Sequence, residues 1–192
     1  TIGEWGLSHV TPGVCYGSQA TVTVSGNTLT LTFTDSGDTP FTLTRVIDAT
    51  KPLVGSWYFT DLADPNDKAA VTFLADGTYL MAETGIADST GGPGMELGTY
   101  TYSATTGAFS STCPSVDTSG EWGLSHGTPG VCSGSQFTLT ISGNTATFPD
   151  AGRTLTLTRV VDATKPLVGS WYLAEGSDPS DPSAKAAITF MA

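Results

Sequence analysis

The feature that most constrains this chain is an internal repeat. Gly3-Glu4-Trp5-Gly6-Leu7-Ser8-His9 returns as Gly120-Glu121-Trp122-Gly123-Leu124-Ser125-His126, an offset of 117 positions. Asp48 to Tyr58 then returns unchanged as Asp162 to Tyr172, an offset of 114, so the hairpin before it has lost three residues. The offset is 117 again where Lys68-Ala69-Ala70-Val71-Thr72-Phe73 matches Lys185-Ala186-Ala187-Ile188-Thr189-Phe190. Lengths change in turns while strand-like runs persist, which is how folded repeats diverge. A period this long is too large for a solenoid unit and suits a complete small domain in series. Thr1 corresponds to Thr118 and Ala192 to Ala75, so the stretch reads as a window on a longer array, without a second copy of Asp76 to Asp117.

Within a period the pattern is that of strands. Thr alternates with apolar residues, and Gly, Asn and Asp punctuate the runs, as at Asp76-Gly77, Ala104 to Gly107, Ser142-Gly143-Asn144 and Asp150-Ala151-Gly152. Eight strands are predicted, at 54–60, 68–75, 78–84, 96–103, 107–112, 135–142, 144–149 and 153–160. The fold class is therefore all-β, and eight sequential antiparallel strands suit a small closed up-and-down β-barrel, with a β-sandwich as the structural alternative.

Two sites within these strands resemble the lipocalin-like, or calycin-type, β-barrels, here as the repeat of a secreted bacterial surface protein. They are Gly55-Ser56-Trp57, opening the first strand, and Arg159 in the last strand, Leu155-Thr156-Leu157-Thr158-Arg159-Val160. The resemblance implies that Arg159 packs across Trp57 and closes one barrel end. Such a contact combines cation–π attraction with hydrogen bonds from a guanidinium to backbone carbonyls. In this frame residues 53–161 are a complete repeat barrel, with linkers at 48–52 and 162–165. Residues 1–47 are the C-terminal half of a preceding barrel, and 166–192 are the N-terminal strands of a following one. Arg45 and Trp171 are then closure residues parted from their own partners.

Of the three cysteines, Cys15 and Cys132 are copies of one position. One bridge per repeat pairs Cys113 with Cys132 and leaves Cys15 over; three buried thiols are the alternative. A bridge implies an oxidising compartment. His9 and His126 are likewise copies, leaving one imidazole per repeat, and no nucleophile elbow, His-Glu-x-x-His or Cys-x-x-Cys is present. Neither an enzyme nor a metal site or cofactor is expected. The Asp-rich loops at 61–67 and 178–182 have oxygen donors for Ca²⁺ but not EF-hand order, and read as solvated acidic loops. Glu83, Asp88 and Glu96 flank the Gly-rich stretch Ser89 to Gly94, which reads as a loop at the barrel mouth. Trp5 and Trp122 are expected to plug the core beneath a long connection. The Thr-x-Thr runs follow from half-buried strands and need no ice-binding face.

Seven Lys and Arg stand against eighteen Asp and Glu, a net charge of −11, which disfavours nucleic acid and anionic membrane surfaces as partners. No apolar run reaches the length of a membrane span, so no membrane insertion is expected. Near-identical duplication favours a structural or adhesive role in an extracellular filament, stalk or surface coat, with repeats joined head-to-tail. The expected partners are copies of the chain itself, together with cell-surface or matrix components. Phe33, Leu43, Arg45, Trp171 and Phe190 are the expected polymerisation interface, because closing strands of one copy would meet opening strands of the next. The alternative function is an extracellular binding module with a small apolar ligand in each barrel, where Phe73, Tyr79, Met81, Phe137 and Leu157 face inward.

Overall fold

The structure, a computed structural model, describes residues 9–11, 14–15, 19–33, 40–60, 68–84, 93–117, 124, 126–128, 131–150, 152–173 and 186–192. Among these every regular element is a strand. In chain order they begin with β1 (His9–Thr11), β2 (Val14–Cys15), β3 (Ala20–Ser25), β4 (Thr28–Phe33) and β5 (Phe41–Arg45). Next come β6 (Gly55–Thr60), β7 (Lys68–Phe73), β8 (Thr78–Glu83), β9 (Gly94–Tyr102), β10 (Ala108–Ser111) and β11 (Val116–Asp117). The rest are β12 (His126–Thr128), β13 (Val131–Cys132), β14 (Gln136–Thr138), β15 (Thr140–Ser142), β16 (Thr145–Asp150), β17 (Arg153–Arg159), β18 (Gly169–Leu173) and β19 (Ala186–Phe190). No helix among the described residues is long and apolar enough to cross a membrane. The chain divides into two compact units, Thr1–Arg45 with Trp171–Ala186, and Val46–Ser170 with Ala187–Ala192.

The larger unit carries an antiparallel ladder in the order β14-β10-β9-β8-β7-β6-β17-β16-β15. Its two ends, β14 and β15, are consecutive in the chain and separated only by Leu139. They form one strand that bends at Leu139, whose N–H donates to Gly107 O at 2.8 Å. One half of this bent strand pairs with β10 (Phe109↔Phe137) and the other with β16 (Ile141↔Ala146), so the ladder closes on itself as a barrel of eight staves. A sandwich would need a second facing sheet, and closure leaves none. The hairpins use the turn chemistry of the sequence: Gly77 takes φ +88°, and Asp76 Oδ1 accepts from the Thr78 N–H at 2.9 Å.

The period-two alternation decides what fills the barrel. Trp57, Val71, Phe73, Tyr79, Met81, Phe109, Leu139, Ala146 and Leu157 form a buried cluster, with Tyr100, Phe137 and Phe148 packed against it. Tyr100, Phe109, Phe137 and Phe148 form a row of near-parallel rings, with centroids 6.1, 4.6 and 4.6 Å apart. The interior is therefore filled by the protein's own side chains, as small eight-stranded barrels commonly are.

In the smaller unit, β3, β4, β5 and the Trp171–Leu173 part of β18 pair antiparallel in the order β18-β5-β4-β3. β3 and β4 form a hairpin through Gly26 (φ +58°), in register Val22↔Leu31, and β5 pairs with β18 at Arg45↔Trp171 and Thr44↔Tyr172. Leu29, Leu31, Leu43 and Trp171 are buried. These strands are repeat copies of β6, β17, β16 and β14/β15, in the same lateral order as in the closed ladder.

Candidate functional site

The end of the barrel at which β6 begins is closed by three residues. Arg159, the last residue of β17, lies opposite Trp57 in the ladder and places its guanidinium carbon 4.1 Å from the indole centroid. Its Nη1 donates to Val54 O at 2.8 Å and its Nη2 to Pro52 O. The fully buried Trp57 donates Nε1–H to Leu53 O at 2.9 Å. Burial pushes the Arg159 guanidinium below its ordinary pKa, yet it keeps its charge at neutral pH. Gly55 makes room for this arrangement. It holds φ +128°, and a Cβ there would stand 2.8 Å from Arg159 Nη1.

The same constellation occurs in the smaller unit. Arg45 lies 4.1 Å from the Trp171 ring centroid, and the Arg45 N–H donates to Asn27 O at 2.8 Å, as the Arg159 N–H does to Asn144 O. Gly169 repeats the backbone conformation of Gly55, at φ +129°. Trp171 and Arg45 are thus paired within one chain, although they come from distant parts of the sequence. Of the other residues expected at an interface between copies, Leu43 is buried and Phe33 is half-buried, edge-on to Phe41 at 6.0 Å. Phe190 is half-buried at the end of β19.

The two linkers are ordered turns rather than slack chain. Asp48 Oδ1 accepts from Thr50 N and Thr50 Oγ1 at 2.9 and 2.6 Å, and Asp162 Oδ1 from Thr164 at 2.8 and 2.7 Å. These bonds hold both carboxyls below their ordinary pKa. Within the larger unit, Ser56, Thr72, Ser170 and Thr189 gather their hydroxyls into one cluster, with Ser170 Oγ and Thr189 Oγ1 2.8 Å apart. Ser170 and Thr189 are the repeat copies of Ser56 and Thr72.

The opposite end of the barrel has a latch. Glu96 is 2 % exposed, and its Oε2 accepts from Tyr79 Oη–H at 3.0 Å and from the Leu124 N–H at 2.9 Å. Ser111 Oγ donates to Leu124 O at 2.8 Å and accepts from the Ser135 N–H at 3.1 Å. Leu124 is therefore held by both backbone groups, and its side chain packs against the barrel core. The connection that carries it is fastened by the Cys113–Cys132 disulfide, with Cα atoms 5.5 Å apart. Glu83 is buried as well, on the same face of β8 as Tyr79 and Met81.

Sequence reading had grouped Glu83 and Glu96 with the Gly-rich loop and missed their inward placement. The available signal was strand phase, since Glu83 continues the Tyr79, Met81 alternation and Glu96 precedes Gly98 and Tyr100 by steps of two. The side chains of Cys15, His9 and His126, the residues Trp5, Trp122 and Asp88, and the acidic loops at 61–67 and 178–182 lie outside the described residues. Among the described residues, no three His, Cys, Asp or Glu side chains converge to hold a metal ion. No family model matches the chain, and no curated protein or solved structure shows significant similarity to it.

Proposed function

We propose that the chain is a structural or adhesive protein of an extracellular filament, stalk or surface coat, built from lipocalin-like barrel repeats joined head-to-tail. One observation carries this reading. The Arg-over-Trp closure is made twice with the same 4.1 Å geometry, once inside a contiguous barrel and once between Arg45 and Trp171, from distant parts of the sequence. A module that closes equally well on strands separated in the chain is suited to joining repeats by sheet pairing as well as by linkers. The same pairing made between copies would use Phe33, Leu43, Arg45, Trp171 and Phe190 and would propagate head-to-tail. The disulfide favours an oxidising, extracellular setting. The filled interior supports a scaffold over a ligand carrier, because an apolar guest would have to displace Phe73, Tyr79, Met81 or Phe109.

Electron microscopy of the native material, with light scattering over a range of protein concentrations, tests the reading. Regular filaments or concentration-dependent head-to-tail oligomers are expected. A monodisperse monomer at every concentration that co-purifies with an apolar small molecule would replace this reading with the binding module.

A further inference from the structure

Hydroxyl side chains on the outer surface of the barrel fall into two groups. Thr145, Thr156 and Thr158, on β16 and β17, are exposed, as outward positions of a strand in water ordinarily are. Ser56 and Thr72, cross-strand partners on β6 and β7, likewise alternate with the inward residues Trp57, Val71 and Phe73, yet both are buried. Strand phase therefore does not account for their burial. What meets them is their own repeat copy, Ser170 and Thr189, which belongs to the same compact unit.

The contact has the form of a local two-fold exchange. Ser170 Oγ–H donates to Ser56 Oγ, and Thr72 Oγ1 lies 3.3 Å from Thr189 Oγ1, so each residue meets its own copy. Ser56 bonds to Thr72 as Ser170 does to Thr189. The backbone repeats the match: Ser56 O accepts from the Val160 N–H and Ser170 O from the Val46 N–H, each at 2.9 Å. Ser170 is as buried as Ser56, and Val54, Leu74 and Val168, beside these strands in the chain, are buried although none is a member of the barrel's core cluster. Hydroxyls are donors and acceptors at once, so this group satisfies its own hydrogen bonds away from water.

We propose that the outer face of the β6–β7 hairpin recognises itself, its partner being the same face of a second copy of the repeat. A residue that meets its own copy is the mark of an isologous interface. Such a face is satisfied by one partner, so it joins repeats in pairs and does not propagate. In an array of these repeats it makes the structural period two repeats rather than one. The proposal rests on the tandem-repeat reading above but concerns a different surface from the β5–β18 pairing.

The test uses the full chain carrying Cys15→Ala, with the Cys113–Cys132 bridge intact, so that an introduced thiol is the reactive one. Ser56→Cys should react with a maleimide at least about tenfold more slowly than Thr156→Cys, the factor that one net hydrogen bond across the contact supplies. Thr189→Arg should remove that protection, and Thr72→Arg should remove it from Ser170→Cys by a similar factor, since an isologous contact is reciprocal. Near-ultraviolet circular dichroism reports whether the barrel is intact, and where Thr72→Arg disturbs it, Thr72→Gln makes the same test with a neutral side chain. Thr189→Arg also frees the Ser56 face. In a glutathione redox buffer, two such chains carrying Ser56→Cys should then join to each other as a disulfide-linked dimer, whereas Thr156→Cys chains should not. Equal labelling of Ser56→Cys and Thr156→Cys, protection unmoved by Thr189→Arg, or glutathione adducts alone at Ser56→Cys overturns the proposal. Microscopy separates it from the array reading: filaments with an axial period of one repeat defeat the pairing alone, and reciprocal protection without filaments defeats the array alone.

Discussion

Replacing Arg159 with Ala removes three contacts at once, and the structure sets the scale of the loss. The guanidinium stands 4.1 Å from the Trp57 centroid, a partly buried cation–π contact of about 1 kcal/mol. Its two hydrogen bonds to Val54 O and Pro52 O have a charged donor, nominally about 1.5–3 kcal/mol each. The lower end applies to the exposed bond to Pro52 O, where water replaces the lost donor, and a value nearer the middle to the part-buried bond to Val54 O. The sum is discounted again because contacts in one network are not additive, giving about 3 kcal/mol. Against a typical domain stability of about 5–15 kcal/mol this is a large fraction. Arg159→Lys keeps the charge but not the planar fork and should lose about half as much.

Urea unfolding followed by near-ultraviolet circular dichroism reads this directly, with the disulfide intact. The midpoint should fall without a change in slope, since the surface exposed on unfolding is unchanged. The repeat supplies a control, because Arg45→Ala makes the same cut at Trp171. If Arg159→Ala lies within about 0.5 kcal/mol of the parent chain, in the range of an ordinary surface substitution, the guanidinium is an ornament on the barrel end and the closure argument fails.

Three further outcomes are expected. Gly55→Ala should destabilise by about 2 kcal/mol or more in thermal melts, because φ +128° is strained for any Cβ and the new atom meets Arg159 Nη1; an unchanged melting temperature would refute it. Glu96→Leu removes the acceptor for Tyr79 and for the Leu124 N–H, so stability should drop by about 2–4 kcal/mol and Leu124 amide exchange should accelerate. Retained protection at Leu124 would show that the latch lies elsewhere. Tyr100 is pushed up to about 12 from 10.0 by burial, then by the charges of Asp76 and Asp48. The folded state therefore holds this proton more tightly than the unfolded chain, and the associated stability is full below pH 10 and is lost as pH rises towards 12. Absorbance titration at alkaline pH should lose one late-ionising phenol in Tyr100→Phe, and an unaltered titration curve would contradict the assignment.

The staves were legible because Thr–apolar alternation and Gly-containing turns are local signals. All eight predicted runs overlap a stave of the closed ladder, and their limits shift by at most about two residues. The break at Leu139 was not legible, since Phe137, Leu139 and Ile141 keep one phase through the bend. What bends the strand is a tertiary bond, from the Leu139 N–H to the Gly107 carbonyl on another turn. Glu96 was misread for a related reason. Composition placed it beside a Gly-rich loop, whereas its hydrogen-bond partners, Tyr79 and Leu124, come from strands and connections far away in sequence. The pairing of β5 with β18 lies beyond sequence reading in another way. Repeats make every closing strand complementary to every opening strand, so the pattern specifies the contact but not which copies make it.

The two copies also separate what closes a barrel from what completes it. Trp171, Leu43, Leu31 and Leu29 are buried in the smaller unit, and in the closed barrel Trp57, Leu157 and Ala146 are buried and Phe148 half-buried at the same repeat positions. Arg45 reaches its indole at the same distance as Arg159. The closure pair and its neighbours are thus formed without copies of β8, β9 and β10. Val22 and Leu139 alone among these matched apolar positions differ greatly in exposure, and they lie on the strand that those three staves would cover. Closure is therefore a property of the β5–β18 type of pairing, local to the Arg–Trp end, whereas completion acts at the far edge. It follows that mutations at Arg45 or Trp171 should lower the stability of the smaller unit, as those at Arg159 or Trp57 lower that of the barrel. Val22→Lys, at an exposed position, should leave stability within about 0.5 kcal/mol of the parent chain. A Val22 variant that unfolds the chain by itself would show that the edge already takes part in the core, and the separation drawn here would collapse.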